Sequence, residues 1–299
     1  MLKVAFNLNR MAKLFGGDFR PVLDIAALAD RKGVDQLVIG DHLALNPDGY
    51  GNYPHGTFPN KVDAFMVEGA TALAAVAAVT RHARLSWNVL ISPLRSAVLL
   101  AKQLGMIDVI SGGRLDAGLG AGWLKDEFEA AEMPFDNRFS YMEEQVEVCR
   151  TLWSTAPASF HGRRVRFNNL YVLPQPPQGA KLPIWLGLSM TERGLDRIVR
   201  LADGWATPPM PDDKIASDIE KLHAALRAAG RDPAIFPIRS QLYPVRRADN
   251  SIDLDASFLR AEKLQKMGVT MVSLVTEHYC ETSSDVEPMI DRLLSLRVS

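Results

Sequence analysis

Apolar residues in this chain fall into short extended runs that alternate with stretches of helical period. Strand-like runs occupy residues 4–8, 36–39, 84–91, 114–118, 183–187, 204–206, 237–245 and 270–275. Between them the spacing predicts amphipathic helices, beginning with one over residues 22–31; a later one carries Ile215, Ile219, Leu222, Leu226 and Ala229 on a single stripe. The last helix opens on Ser284-Asp285-Val286-Glu287, a capping-box pattern. Eight such βα units predict an α/β fold, a closed (β/α)8 TIM barrel whose active site lies at the carboxyl ends of the strands; an open doubly wound sheet is the competing arrangement. No composition break or Gly/Ser-rich linker divides the sequence, so residues 1–299 read as one domain.

Two connections are longer than a minimal barrel loop. Residues 41–64 carry Pro47, Tyr50, Tyr53, Pro54, His55 and Pro59 and are expected to cover the mouth. Residues 157–177 hold two extended pieces around Asn168-Asn169, a hairpin pattern, with an arginine cluster expected to be a solvated strand edge.

Composition narrows the function classes. With 47% hydrophobic residues the chain can bury a large core, and 34 basic against 35 acidic residues give no field that would recruit nucleic acid or an anionic membrane. The first residues enter a strand without a signal-peptide pattern, and no apolar run reaches the roughly 20 residues of a membrane span, so a cytoplasmic protein is expected. Cys149 and Cys280 form no metal or redox pair; Cys149 shares a helical stripe with Met142, Val146 and Trp153 and is expected in the core.

The richest segment is Ser111-Gly112-Gly113-Arg114-Leu115-Asp116-Ala117-Gly118-Leu119-Gly120-Ala121-Gly122-Trp123. Glycines at 118, 120 and 122 clear one face of an extended segment, which suits close approach of a flat ligand or, equally, a strand ending in a flexible loop. It is not a G-x-G-x-x-G fingerprint, because Trp123 stands where the pattern continues. Asp41-His42 follows the second strand directly; there a histidine can exchange protons with the carboxylate orienting it, or can hold a loop by hydrogen bonds. Ser189, where the fifth strand passes into a helix, offers an anion address, while Ser189 or Thr191 as an N-cap accounts for the same residues. The six histidines show no metal-ligand spacing, and there is no G-x-S-x-G elbow.

These motifs, with Gly40-Asp41-His42-Leu43, Leu99-Leu100-Ala101-Lys102-Gln103-Leu104, Phe160-His161-Gly162, Pro183-Ile184-Trp185-Leu186-Gly187 and Ala202-Asp203-Gly204-Trp205, resemble the luciferase-like flavin and deazaflavin oxidoreductases across nearly the whole chain. The branch using coenzyme F420 is the most similar. The resemblance implies a TIM barrel with a tricyclic cofactor across its mouth and hydride transfer at the ring. It places His42 beside the reacting ring with Asp41 as acidic neighbour, and a non-proline cis peptide at Asn88-Val89 behind it. It sets the phosphate end against Gly187, Leu188, Ser189, Met190 and Thr191 and the backbone of Gly120, Ala121 and Gly122, with Gly118 beneath. Relatives often carry Gly-Gly-Ser-Ser-Pro at 187–191 and small residues near Trp87-Asn88, so this chain departs from the pattern at both places. Sugar-oxidising relatives have Glu where Trp123 stands, which disfavours sugar-phosphate chemistry. A small apolar or aromatic substrate near Tyr50, Tyr53 and Trp123 is expected instead.

Three functions follow: an F420-dependent oxidoreductase, a two-component monooxygenase using reduced FMN with a flavin or F420 reductase as redox partner, and a non-catalytic ligand-binding barrel. Relatives are often dimers, so a homodimer is expected.

Overall fold

A computed structural model describes residues 1–54, 58 and 65–297. Eight parallel strands form the barrel: β1 (Lys3–Asn7), β2 (Gln36–Ile39), β3 (Arg84–Trp87), β4 (Leu115–Gly120), β5 (Ile184–Leu186), β6 (Gly204–Ala206), β7 (Ile238–Leu242) and β8 (Met271–Val275). Each pairs with the next, and β8 pairs with β1 in the register Lys3↔Met271 to Asn7↔Val275, so the sheet closes on itself. The open doubly wound alternative is thereby excluded. Helices α1 (Arg20–Lys32), α2 (Gly69–Val79), α3 (Ala97–Ser111), α4 (Lys125–Ala130), α5 (Arg138–Ser154), α6 (Glu192–Leu201), α7 (Asp212–Ala228), α8 (Leu254–Lys266) and α9 (Val286–Ser295) surround it. Strand residues are buried on both faces, as expected for a parallel sheet lined inside by side chains and covered outside by helices. Val22, Ala26 and Ala29 of α1 and Leu73 and Val76 of α2 supply part of that outer layer, and Cys149 is buried with Met142, Val146 and Trp153 on α5.

Several expectations are corrected in detail. The third run does not continue unbroken over 84–91: β3 stops at Trp87, the Asn88–Val89 peptide is cis, and a two-residue strand, Leu90–Ile91, resumes the pairing with β4. The fourth strand runs through Gly120 rather than ending at Gly118, because Leu119 and Gly120 pair with this resumed piece. In the hairpin, Ala158–His161 pairs with Arg166–Leu170, and the turn lies at Gly162–Val165 rather than at Asn168-Asn169. The cause is tertiary: the Glu144 carboxylate on α5 accepts hydrogen bonds from the Arg164 and Val165 amides and pins the turn there. The capping box sits at Thr282 and Asp285, just before the expected tetrad, with the Asp285 carboxylate accepting from the Thr282 amide at 2.8 Å. On α7, Ile215, Ile219, Leu222 and Leu226 are buried, whereas Ala229 caps the helix and is exposed. Among the described residues no helix is long and apolar enough to cross a membrane.

Candidate active site

The carboxyl ends of the strands enclose a cavity of about 380 Å³. Its floor explains the alternating glycines. A side chain added at Gly118 would strike the Trp87 carbonyl at 2.1 Å, one at Gly120 would strike Val89 Cγ2 at 2.3 Å, and one at Gly122 would strike Ile91 Cγ2 at 2.6 Å. Residues 118, 120 and 122 are therefore bare because Trp87, Val89 and Ile91 of the interrupted neighbouring strand lean against them in turn. A Cβ added at Gly187, after β5, would likewise fall 2.5 Å from Val89 Cγ1, so Val89 occupies the space left by two glycines at the cavity floor.

Beneath Val89 lies a charged support that sequence reading missed. Arg239 of β7 is fully buried inside the barrel and donates from Nη2 to the Trp87 carbonyl at 2.7 Å and to Asn88 Oδ1 at 3.4 Å. Burial lowers its guanidinium to about 10, which leaves it charged. Gln36 bridges Arg239 to Asp116, and Arg84 closes the chain with a bidentate hold on Asp116. A lone arginine in an otherwise strand-like run was the available signal.

His42 and Asp41 part company. The Asp41 carboxylate is fully buried, accepts from Arg95 Nη1 and Nη2 at 2.9 Å each, and also accepts from the Ile91 amide at 2.9 Å and the Gly69 amide at 2.8 Å. It ties the end of β2 to the strand piece after Val89 and to the start of α2. Arg95 also pairs with Glu68; burial pushes the Glu68 carboxyl up, but hydrogen bonds from Thr71 and Arg95 outweigh it and hold the group at about 2.

His42 turns the other way and finds its acid on α4. Its Nδ1 lies 3.0 Å from Glu127 Oε2, and Glu127 Oε1 accepts from the Leu43 amide at 2.6 Å and the Ala44 amide at 3.4 Å. The Glu127 side chain has no exposed surface, so it can address the histidine but not a substrate. Sequence adjacency pointed to Asp41; the contact that forms joins residues 85 positions apart.

Aromatic rings pack around His42. Phe58 meets it edge-on at 5.9 Å and Trp123 at 6.4 Å, while Trp123 lies 5.1 Å from Tyr53 and 4.8 Å from Phe58. Tyr53, Phe58 and Trp123 line the cavity; Tyr50 stands behind Phe58 at 4.8 Å. Phe58 was not singled out from sequence, and the loop residues His55 and Pro59 lie outside the described residues.

At the β5 end, Gly187, Leu188 and Ser189 line the cavity together with Gly120, Ala121 and Gly122, and the Trp205 indole fixes the turn by donating to the Leu188 carbonyl at 2.9 Å. Met190 packs against the core, and Thr191 is the N-cap of α6, accepting from the Gly194 amide at 3.1 Å. The cation at this end is Arg138, the first residue of α5, also missed from sequence. Its Nε donates to the Gly122 carbonyl at 3.0 Å and its guanidinium packs 3.8 Å from the Phe135 ring; among the described residues no carboxylate pairs with it. A half-buried arginine with no carboxylate among the described residues in salt-bridge contact, lining the same cavity as Ser189, suits a phosphate.

The opposite wall is polar: Asn7, Arg10, Gln241, Tyr243, Glu277 and His278. Arg10 is ion-paired with Glu277, and burial brings its guanidinium down to about 10. Burial, helped by Arg10 and Arg246, drops His278 to about 4, so a second and neutral histidine faces the mouth after β8.

Comparison with known proteins fits this geometry. The chain is 30% identical to the uncharacterized protein Rv0953c of Mycobacterium tuberculosis over 69% of its own length and 74% of that protein. It is 31% identical to an FMNH2-dependent dimethylsulfone monooxygenase of Pseudomonas putida over 54% of its length and 45% of that enzyme. Its fold superposes on the coenzyme F420-dependent tetrahydromethanopterin reductase of Methanopyrus kandleri with TM-score 0.75 at 16% identity, covering 98% of this chain and 99% of that one. A family model described as luciferase-like monooxygenase matches residues 3–263, and the chain belongs to that family of flavin- and F420-dependent oxidoreductases and monooxygenases.

Proposed function

We propose that this chain, as one barrel domain over residues 1–299, is an F420-dependent oxidoreductase acting on a small apolar or aromatic molecule. The carrying observation is the cavity itself: Val89 in the space left by Gly120 and Gly187 at its floor, Arg138 and Ser189 at one end, and His42 among Tyr53, Phe58 and Trp123 at one side. The donor set fits the cofactor's anionic end, since Arg138 brings a positive charge to the cavity and, among the described residues, no carboxylate forms a salt bridge with it.

When bound, the deazaflavin supplies a two-electron hydride exchange. The protein's part is to hold and shield. Val89 and the Arg239 support fix the floor, the aromatic residues exclude water and position an apolar substrate, and His42 stands where a proton can be held or moved at Nε2. Asp41 acts here through Arg95 as a positioning residue. FMN is the second reading, favoured by the 31% identity to an FMNH2-dependent monooxygenase; it brings a reductase as redox partner. In either case we propose a cytoplasmic protein and a homodimer; sedimentation tests the dimer and cell fractionation the location.

Anaerobic titration of the apo-protein with F420 and, separately, FMN, followed by absorbance and fluorescence, tests the assignment. F420 is expected to bind at about micromolar Kd or tighter. FMN binding with no F420 binding at that level overturns it in favour of the monooxygenase.

A further inference from the structure

We propose that Glu127 is a positioning residue that fixes the tautomer of His42, keeping the proton on Nδ1 and presenting the Nε2 lone pair to the cavity. This deepens the proposed function, since it concerns the histidine on which that function relies.

The assignment comes from where the carboxylate's hydrogen bonds go. Glu127 Oε1 is committed as an acceptor to the Leu43 amide at 2.6 Å, with the Ala44 amide at 3.4 Å. Backbone amides only donate, so they favour the ionised carboxylate. An ionised carboxylate has no proton to give, so the 3.0 Å contact between Oε2 and His42 Nδ1 carries its hydrogen on the ring. Neutral imidazole then has its other nitrogen bare. No exposed surface remains on the Glu127 side chain, and the His42 side chain keeps only 10% of its own. The pair is therefore held against reorientation by packing, with Phe58 and Trp123 edge-on to the ring. The same carboxylate grips the backbone that follows His42, so ring orientation and the entry of the covering loop are set by one group. A carboxylate that orients a histidine this way acts through its partner and never touches substrate.

Glu127→Gln makes the assignment testable. The amide oxygen can keep the Leu43 bond, which places the amide NH2 where Oε2 stood. That NH2 donates to Nδ1 and moves the ring proton to Nε2. Long-range ¹H–¹⁵N spectra of histidine-labelled apo-protein, recorded with the ring neutral and assigned by loss of the signal in His42→Asn, read the tautomer directly. The wild type is expected to show protonated Nδ1 and bare Nε2, and Glu127→Gln the reverse. With cofactor loaded, the Gln variant is expected to lose about 10²–10⁴-fold in kcat, the range of a misdirected general acid or base, with KM changed less. Protonated Nε2 in the wild type overturns the proposal even if the variant fails to fold, and so does an unchanged tautomer in a folded Glu127→Gln. Because the spectra need no cofactor, absence of F420 binding would count against the proposed function and leave this result standing.

Discussion

Gly120→Ala separates two explanations of the glycine-lined strand. If Gly120 is bare so that a ligand can approach, the added methyl leaves the apo-protein intact and blocks binding. If it is bare because Val89 occupies the space, the methyl damages the protein itself. The contact worked from the structure favours the second: the new Cβ falls 2.3 Å from Val89 Cγ2 and 3.2 Å from its Cβ. Carbon atoms rest about 3.5–4.0 Å apart, so the wall must give by more than about 1 Å. Val89 has little room to retreat, because its other methyl stands over Gly187, where even a Cβ would lie 2.5 Å from Cγ1. Overpacking of this kind costs about 1–3 kcal/mol. Val89→Ala removes both methyls of a half-buried side chain and on its own costs about 1 kcal/mol of apolar contact. The double variant should then be less destabilised than the two singles summed, by a coupling of about 1–3 kcal/mol. Urea unfolding of the apo-protein, compared at constant m value, measures all four corners of the cycle. Additive costs, or a Gly120→Ala midpoint equal to wild type with cofactor binding abolished, would refute the reasoning.

Three further outcomes are expected. Asp41→Ala strips Arg95 of its bidentate partner in a buried setting and should destabilise by about 3–5 kcal/mol in urea unfolding; a loss of turnover with unchanged stability would instead make Asp41 a chemical participant. Arg138→Met should weaken binding of the phosphorylated cofactor about 10–100-fold, the worth of one charge-assisted contact, as read by fluorescence titration; affinity within twofold of wild type places the phosphate elsewhere. His278 is neutral in the fold down to about pH 4, whereas the unfolded chain takes up that proton near 6.5, so stability should fall as pH drops between those values, by up to about 3 kcal/mol. His278→Asn should flatten that acid limb, and an unaltered limb in melts over this pH range would show that other groups cause it.

The barrel was legible because its strands and helices carry their periods locally. A buried parallel strand is an apolar run wherever its partners lie, and an amphipathic helix shows its stripe without reference to the sheet. What failed to show was where a local pattern is cut by a distant residue. Nothing within residues 157–177 says that Glu144 holds the turn, so the two asparagines looked the better corner. The third run looked continuous because Leu90 and Ile91 are as apolar as any strand; the break at Asn88–Val89 followed only from family resemblance.

The site divides along the same line. The residue types at its surface were visible from their position just past a strand, as with His42, Ser189 and Trp123. The charges that hold them were not, because each acts across the barrel: Glu127 on His42, and Arg239 on the Trp87 carbonyl from 152 positions away. Sequence neighbours compete for such roles and lose when they are already committed. Asp41 and His42 both border the cavity, two and three residues past the end of β2, but the Asp41 carboxylate is buried and spent on a set of its own donors, which is what makes a buried carboxylate tolerable. Arg95, Ile91 and Gly69 are that set. With its sequence neighbour so occupied, His42 takes its acid from another element: α4 begins five residues after Gly120, the last residue of the glycine-lined strand β4, which stands two strands along the barrel from β2, and Glu127 on it supplies the carboxylate.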